Sequence, residues 1–178
     1  MTSTIDTRPR IASERLLLRQ IVRADLARLA CMANDYDVAA MTSSMPHPYA
    51  LSDAEAFFDA VQAQDPARDV TFAIERVGKG VIGVLGFNPR DEETPEIGYW
   101  IGRPYWGRGY ATEAVRTALD WVRSEWGRRA ILALHFTDNP ASAAVLIKAG
   151  FLYTGQVRPT FSRARASHAN GRMMVWLA

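Results

Sequence analysis

The sequence predicts a mixed α/β (or α+β) fold: a central, mostly antiparallel sheet of about seven strands flanked by about four helices. Three observations carry that prediction. Strand-like runs cluster between Val70 and Ile101, strand and helix patterns alternate after Tyr110, and no internal repeat or low-complexity stretch interrupts them. A length of 178 residues is close to the ~150 of one domain, so residues 13–178 are expected to form a single domain behind a polar, frayed tail of residues 1–12.

Taken in order, Arg15-Leu-Leu-Leu-Arg19 reads as the first strand, after which Leu26, Leu29, Ala30 and Ala33 fall on one helical face. Thr42 to Ala50 holds two prolines, two serines and His47 and reads as a loop. Ser52-Asp-Ala-Glu55 has the spacing of a capping box and should open a second helix carrying Phe57, Phe58 and Val61. Val70 to Val77, Val81 to Phe87 and Glu96 to Ile101 form an antiparallel meander, the first two joined by a tight turn at Gly78-Lys-Gly80. From Tyr110 to Glu125, apolar residues recur at steps of three and four, the mark of an amphipathic helix. Arg129 to Phe136 is an apolar strand, Ala141 to Ala149 a helix stopped by Gly150, Phe151 to Val157 a strand, and Arg172 to Leu177 the last strand.

Composition narrows the function classes. The net charge is only +2, with 19 Arg and two Lys against 19 acidic residues and no block of like charge, so neither a nucleic-acid nor a membrane partner is expected. Cys31 is the only cysteine, which excludes an internal disulfide and a multi-cysteine zinc site and fits a reducing cytoplasm. The first ten residues lack the apolar stretch of a signal peptide, and the longest apolar runs are too short to span a bilayer. The three histidines and Cys31 show no metal-ligand spacing, so no metal is expected. His135, Asp138 and Ser142 lack the G-x-S-x-G elbow of a hydrolase, and His135 reads as a satisfied strand histidine. Trp121, Trp126 and Trp176 read as core or partly buried residues and not as cofactor contacts.

Two glycine-rich stretches remain. Gly78-Lys-Gly-Val-Ile-Gly83 has dinucleotide-site spacing, but a β-branched strand follows it where the motif needs a helix, so it reads as a hairpin turn. Gly102-Arg-Pro-Tyr-Trp-Gly107-Arg-Gly109 instead precedes the strongest helix, where backbone amides and the helix dipole hold phosphate. Arg108 and Gly109 stand where a Walker loop needs Lys and Ser/Thr, which argues against an ATPase. A helix entry without ligand is the alternative reading.

Trp106-Gly-Arg-Gly-Tyr-Ala-Thr-Glu-Ala114, preceded by Glu96-Ile-Gly-Tyr-Trp-Ile101, resembles the acetyl-CoA motif of the GNAT superfamily of N-acetyltransferases, in its RimJ/RimL-like branch. Ser13 to Arg19 is similar to the first strand of that branch, and Asn139-Pro-Ala-Ser142 with Lys148-Ala-Gly-Phe151 is similar to its second CoA motif. The resemblance implies a GNAT-like fold with acetyl-CoA as cosubstrate, the pyrophosphate lying on the backbone of Gly107, Gly109, Tyr110, Ala111 and Thr112. Pro104 fills the first position of the family's Gln/Arg-x-x-Gly-x-Gly/Ala pattern, with Arg103 one residue earlier, and Arg103 and Arg108 are the candidate phosphate-facing cations. It further implies that strand 96–101 splays from strand 129–136. The pantetheine arm would then lie in the gap, bonded near Trp100 and Ile101, with Asn139 holding the pantetheine or a nearby water.

Acyl transfer needs a base for the amine, a donor to the thioester oxygen and an acid for the departing sulfur. By resemblance Glu96 is the base, often acting through water; its alternative is a structural ion pair. Many family members carry an acid tyrosine seven residues after the motif asparagine, where this chain has Leu146. Ser142 then reads either as the acid or as a helix cap. The acceptor is expected among His47, Tyr49 and Arg165, and it would be a protein N-terminus or a small-molecule amine. Cys31 lies away from the motifs, so direct attack in a ternary complex is expected over a ping-pong thiol. The rival reading is a non-catalytic CoA-binding sensor or interaction domain, and a third is a nucleotide-phosphate binder of another family. Monomer and homodimer both remain open.

Overall fold

The computed structural model describes residues 9–90 and 94–178, so the greater part of the expected tail lies outside the described residues. The described residues form a sheet of eight strands in the order β1-β2-β3-β4-β5-β6-β8-β7. In chain order the elements are β1 (Ile11–Ala12), β2 (Leu16–Arg19), α1 (Leu26–Ala33), α2 (Tyr36–Ala39), α3 (Leu51–Gln62), β3 (Val70–Arg76), β4 (Gly80–Pro89), β5 (Pro95–Ile101), α4 (Tyr110–Trp121), β6 (Ala130–Phe136), α5 (Pro140–Lys148), β7 (Leu152–Ser162) and β8 (Ser167–Leu177). All strand pairs are antiparallel except β5 with β6, so the mixed, mostly antiparallel sheet is as the sequence predicts.

Alternation along the strands divides the core into two layers. On one face Phe72, Leu85, Phe87, Ile97 and Ile131 meet Ala114, Val115, Ala118 and Leu119 of α4 together with Leu146 of α5. On the other, Ala73, Val81 and Val84 meet Leu26, Leu29 and Ala30 of α1 and Ala54 and Val61 of α3. Trp121 and Trp176 are buried in the core, and the partly buried Trp126 packs against it, stacked on Trp121 at 5.4 Å, as expected.

The differences from the sequence reading have local causes. Ile11 and Ala12, counted with the tail, pair with Leu18 and Leu17 as the edge strand β1. The second long helix begins at Leu51 and not after Ser52: the Asp53 carboxylate accepts from the Ala50 N–H at 2.8 Å, so Asp53 satisfies the helix start and Ser52 lies inside it. The short helix α2 was not foreseen; the Asp35 side chain caps it by accepting from Asp37 N–H at 2.9 Å. Beyond Trp121 the expected α-helix widens into a single π-turn, Val122–Trp126, closed by Gly127. The expected connection before the last strand is instead the outer part of a long hairpin, β7 with β8, paired out to Ser162 and Ser167. β7 is the outer edge of the sheet and almost wholly exposed, so it lacks the apolar alternation by which a strand is recognised.

Candidate active site

The parallel pairing of β5 with β6 consists of two registers only, Glu96 with Leu132 and Ile97 with Ala133, whereas β5 stays paired with β4 along its whole length to Ile101. Beyond Ile97 the two strands part, as the sequence reading expects. A cleft of about 2090 Å³ passes through the opening, from Gly107 and Thr112 at the start of α4 to Tyr49, Glu96 and the β7 hairpin on the other side.

The loop before α4 is held rigidly. Trp106 Nε1 donates to the Ile101 carbonyl at 2.6 Å, and Gly107 and Gly109 adopt φ of +69° and +78°, a left-handed conformation that glycine takes without steric cost. The first intrahelical bond of α4 runs from Glu113 N–H to Gly109 O at 3.0 Å. Helix geometry therefore leaves the amides of Tyr110, Ala111 and Thr112 without intrahelical acceptors, at the positive end of the helix dipole. Tyr110 offers only its backbone: its ring is buried, with the Arg15 and Arg76 guanidinium carbons 4.6 and 5.6 Å from its centroid. The Arg108 carbonyl accepts from Arg15 Nη1 at 3.0 Å while its side chain is exposed. The Arg103 guanidinium lies over the Trp106 ring, 5.6 Å from its centroid. The same guanidinium is held by Asp35 at 2.7 Å and by Asp37, so the charge expected for phosphate is already paired.

In the opening itself, Gly102 N–H donates to Ile82 O at 2.9 Å, and alternation from that bond turns the backbone groups of Trp100 and Gly98 toward β4 and those of Tyr99 and Ile101 toward the gap. The backbone groups that open into the gap are thus those of Tyr99 and the Ile101 N–H, whereas those of Trp100, expected to bond pantetheine, face β4. Across the gap, Asn139 Oδ1 accepts from Ser142 N–H at 3.1 Å and caps α5. Here the asparagine supplies the cap and the serine is the capped residue. Ser142 Oγ lies 2.8 Å from the hydroxyl of Tyr99, whose pKa burial pushes up to about 12 against the opposing effect of the Ser142 hydrogen bond. Leu146 is an apolar core residue, 1% exposed.

On the opposite face Glu96 lines the cleft and pairs with Arg90, so the ion pair anticipated as its alternative role is present. Tyr49 also lines the cleft; burial first and the Asp53 charge second push its phenol above its ordinary value. The other two acceptor candidates are not part of the cleft lining. His47 is exposed, packs edge-on against Tyr36 at 5.3 Å and does not line the cleft. Arg165 is a structural bolt: Nε donates to Ala40 O at 2.6 Å, Nη1 and Nη2 grip Asp138 at 2.7 and 3.1 Å, and Phe136 lies beneath the guanidinium. That grip holds the Asp138 carboxyl below its usual value, the Arg165 hydrogen bond being the main cause.

His135 is buried and bonded to Tyr153 OH at 3.0 Å, a satisfied strand histidine. Among the described residues no cluster of three or more His, Cys, Asp or Glu is placed to hold a metal, and no helix is long and apolar enough to cross a membrane. Tyr99, Arg90 and the Asp35/Asp37 pair escaped the sequence reading. For Tyr99 a signal existed, since it stands at odd spacing from Glu96 within the motif and must face the other side of the strand.

Residues 15–152 match the family description of an acetyltransferase (GNAT) domain. The chain belongs to that family. It is 34% identical over 161 residues to the uncharacterized N-acetyltransferase YoaA of Bacillus subtilis (strain 168), covering 84% of this chain and 86% of that protein. Among solved structures it is similar to a GNAT-family acetyltransferase from Bacillus anthracis, with TM-score 0.83, 22% identity, and 95% and 98% of the two chains covered. It is also similar to RimL, a ribosomal L7/L12 alpha-N-protein acetyltransferase solved with coenzyme A, with TM-score 0.81, 17% identity, and 95% and 98% covered. These two structural likenesses bear on the fold, and the family match makes this GNAT chain an acyltransferase enzyme.

Proposed function

We propose that this GNAT protein moves the acetyl group of acetyl-CoA to a primary amine by direct attack in a ternary complex. The observation that carries the reading is the opening of the sheet beyond Ile97, with free helix-start amides at one end and a carboxylate at the other. The amides of Tyr110, Ala111 and Thr112 take the pyrophosphate, Gly107 and Gly109 let it approach, and the exposed Arg108 adds positive charge. Pantetheine lies along the Tyr99 and Ile101 backbone, and Asn139, its oxygen committed to capping, retains amide hydrogens for the arm or a water. Glu96 takes the amine proton, directly or through a water, as nitrogen attacks the thioester carbon. A backbone N–H of β5 meets the oxygen as charge builds on it, and Ser142 returns a proton to the leaving sulfur.

The likeness to an alpha-N-protein acetyltransferase supports a protein N-terminus as acceptor, with a small amine docked beside Tyr49 as the other possibility of the same chemistry. The test is thiol release from acetyl-CoA with a panel of N-terminal peptides and small amines. Glu96→Gln should lower kcat by about 10²-fold or more, as for loss of a general base, with the KM for acetyl-CoA unchanged. A protein that binds acetyl-CoA but turns over with no amine of the panel is a CoA-binding sensor, and the transferase reading fails.

A further inference from the structure

We propose that Tyr99 is a positioning residue for acyl transfer: its phenol O–H donates to Ser142 Oγ and so leaves the serine's own hydrogen free to point at the departing sulfur. The inference rests on the reading of Ser142 as the proton donor. Three features of the molecule support it. The Tyr99 oxygen is 2.8 Å from Ser142 Oγ but 3.3 Å from the Ser142 carbonyl, so its single proton has its better acceptor in the hydroxyl. Burial keeps the phenol protonated throughout the working range of pH, so it stays a donor. The backbone of Ser142 is fixed separately by Asn139 Oδ1, which leaves hydroxyl rotation as the remaining freedom for Tyr99 to remove.

Leu146 inside α5 is buried and apolar, so the phenol nearest the start of that helix comes from β5. The step balances as follows. The amine's N–C bond forms and the C–S bond breaks, with the electron pair going to sulfur. The Ser142 O–H bond breaks as S–H forms, the Tyr99 hydrogen bond stabilising the serine oxygen meanwhile. Ser142 regains a proton from solvent, matching the one the amine gives up through Glu96.

The experiment is steady-state thiol release with acetyl-CoA and one accepted amine, for wild type, Tyr99→Phe, Ser142→Ala and the double variant, each checked for an intact thermal transition. Tyr99→Phe is expected to lower kcat about tenfold, part of the ~10²–10⁴ that a general acid supplies, with the KM for acetyl-CoA within about twofold of wild type. Ser142→Ala should fall further, and the double variant should match Ser142→Ala, because Tyr99 acts only through the serine. In a Ser142→Cys background, whose thiol is intrinsically more acidic, Tyr99→Phe should cost much less. Losses that multiply in the double variant, or a Tyr99→Phe enzyme with full kcat, overturn the proposal. Wild type without turnover sinks the transferase reading itself, and Ser142→Ala with full turnover sinks the acid assignment on which the proposal rests.

Discussion

Glu113 stands one turn beyond the loop that precedes α4, and replacing it with alanine tests how that loop is anchored. Its carboxylate accepts from Ser13 Oγ at 2.7 Å, Arg15 N–H at 2.8 Å and Arg15 Nε at 2.7 Å, while Arg15 Nη1 holds the Arg108 carbonyl at 3.0 Å. Burial alone would raise the carboxyl's pKa, but the Ser13 hydroxyl, the Arg15 amide and the Arg15 guanidinium together hold it below its usual value. The Arg15 side chain is 42% exposed, so water screens its ion pair to about 1 kcal/mol or less. The other two bonds end on a carboxylate that is 16% exposed, and at ~1.5 kcal/mol or less each after partial rehydration the total loss is about 2–3 kcal/mol.

At ~2–4 °C per kcal/mol for a chain of this size, Tm should fall by about 4–12 °C. A folded pKa below the unfolded one of ~4.3 makes this stabilisation complete above the unfolded value and progressively lost as pH falls through the folded one. Equilibrium urea unfolding at pH 7 and again near pH 3 reads both effects, and the wild-type advantage should shrink in acid. Equal stabilities at pH 7, or an advantage that grows in acid, would refute the anchoring argument.

Gly109→Ala forces a side chain into φ of +78° at a cost of ~1–2 kcal/mol and tilts the amides of Tyr110 to Thr112; calorimetry should show weaker acetyl-CoA binding with little change in the protein's secondary structure. Arg165→Met keeps an unbranched side chain but removes the guanidinium that lies over Phe136 and holds Ala40 and Asp138, with a cost of about 1–2 kcal/mol because Asp138 is 57% exposed. Amide exchange should quicken at the tip of the β7–β8 hairpin and in the segment around Ala40, both of which Arg165 ties together. Because Asp138 is held below its ordinary pKa, that difference should also fade as pH drops through its folded value.

What was legible in the sequence were features that leave a local trace. The period of α4, the glycines of its entry loop, and the meander from β3 to β5 are all written in neighbouring residues, and so is the motif that places Glu96, Ser142 and Asn139. What was not legible depends on partners distant in the chain. Arg103 and Arg165 look alike as exposed loop cations, yet each is spent on carboxylates, at Asp35 and Asp37 and at Asp138, which only the fold brings near. β7 was cut short because an edge strand exposed on both faces has no alternation to read. Ser142 illustrates a third case, since its spacing from Asn139 announces a cap but cannot say which of the two residues does the capping.

The separation of the proposed acid and base follows from the same alternation. Glu96 and Trp100 share one face of β5, toward α1 and α3, while Ile97, Tyr99 and Ile101 share the other, toward α4 and α5. In an intact sheet those faces are isolated from each other by the neighbouring strand. Here β6 leaves β5 after Ile97, so one thioester in the opening is reachable from both sides. In the proposed reaction an amine deprotonated by Glu96 would approach from the α1 face while the sulfur would depart beside Ser142 and Tyr99, so the two proton transfers would not compete for the same space. The three-residue spacing between Glu96 and Tyr99 produces this; an even spacing would put both groups on one face and leave the sulfur's side without a phenol.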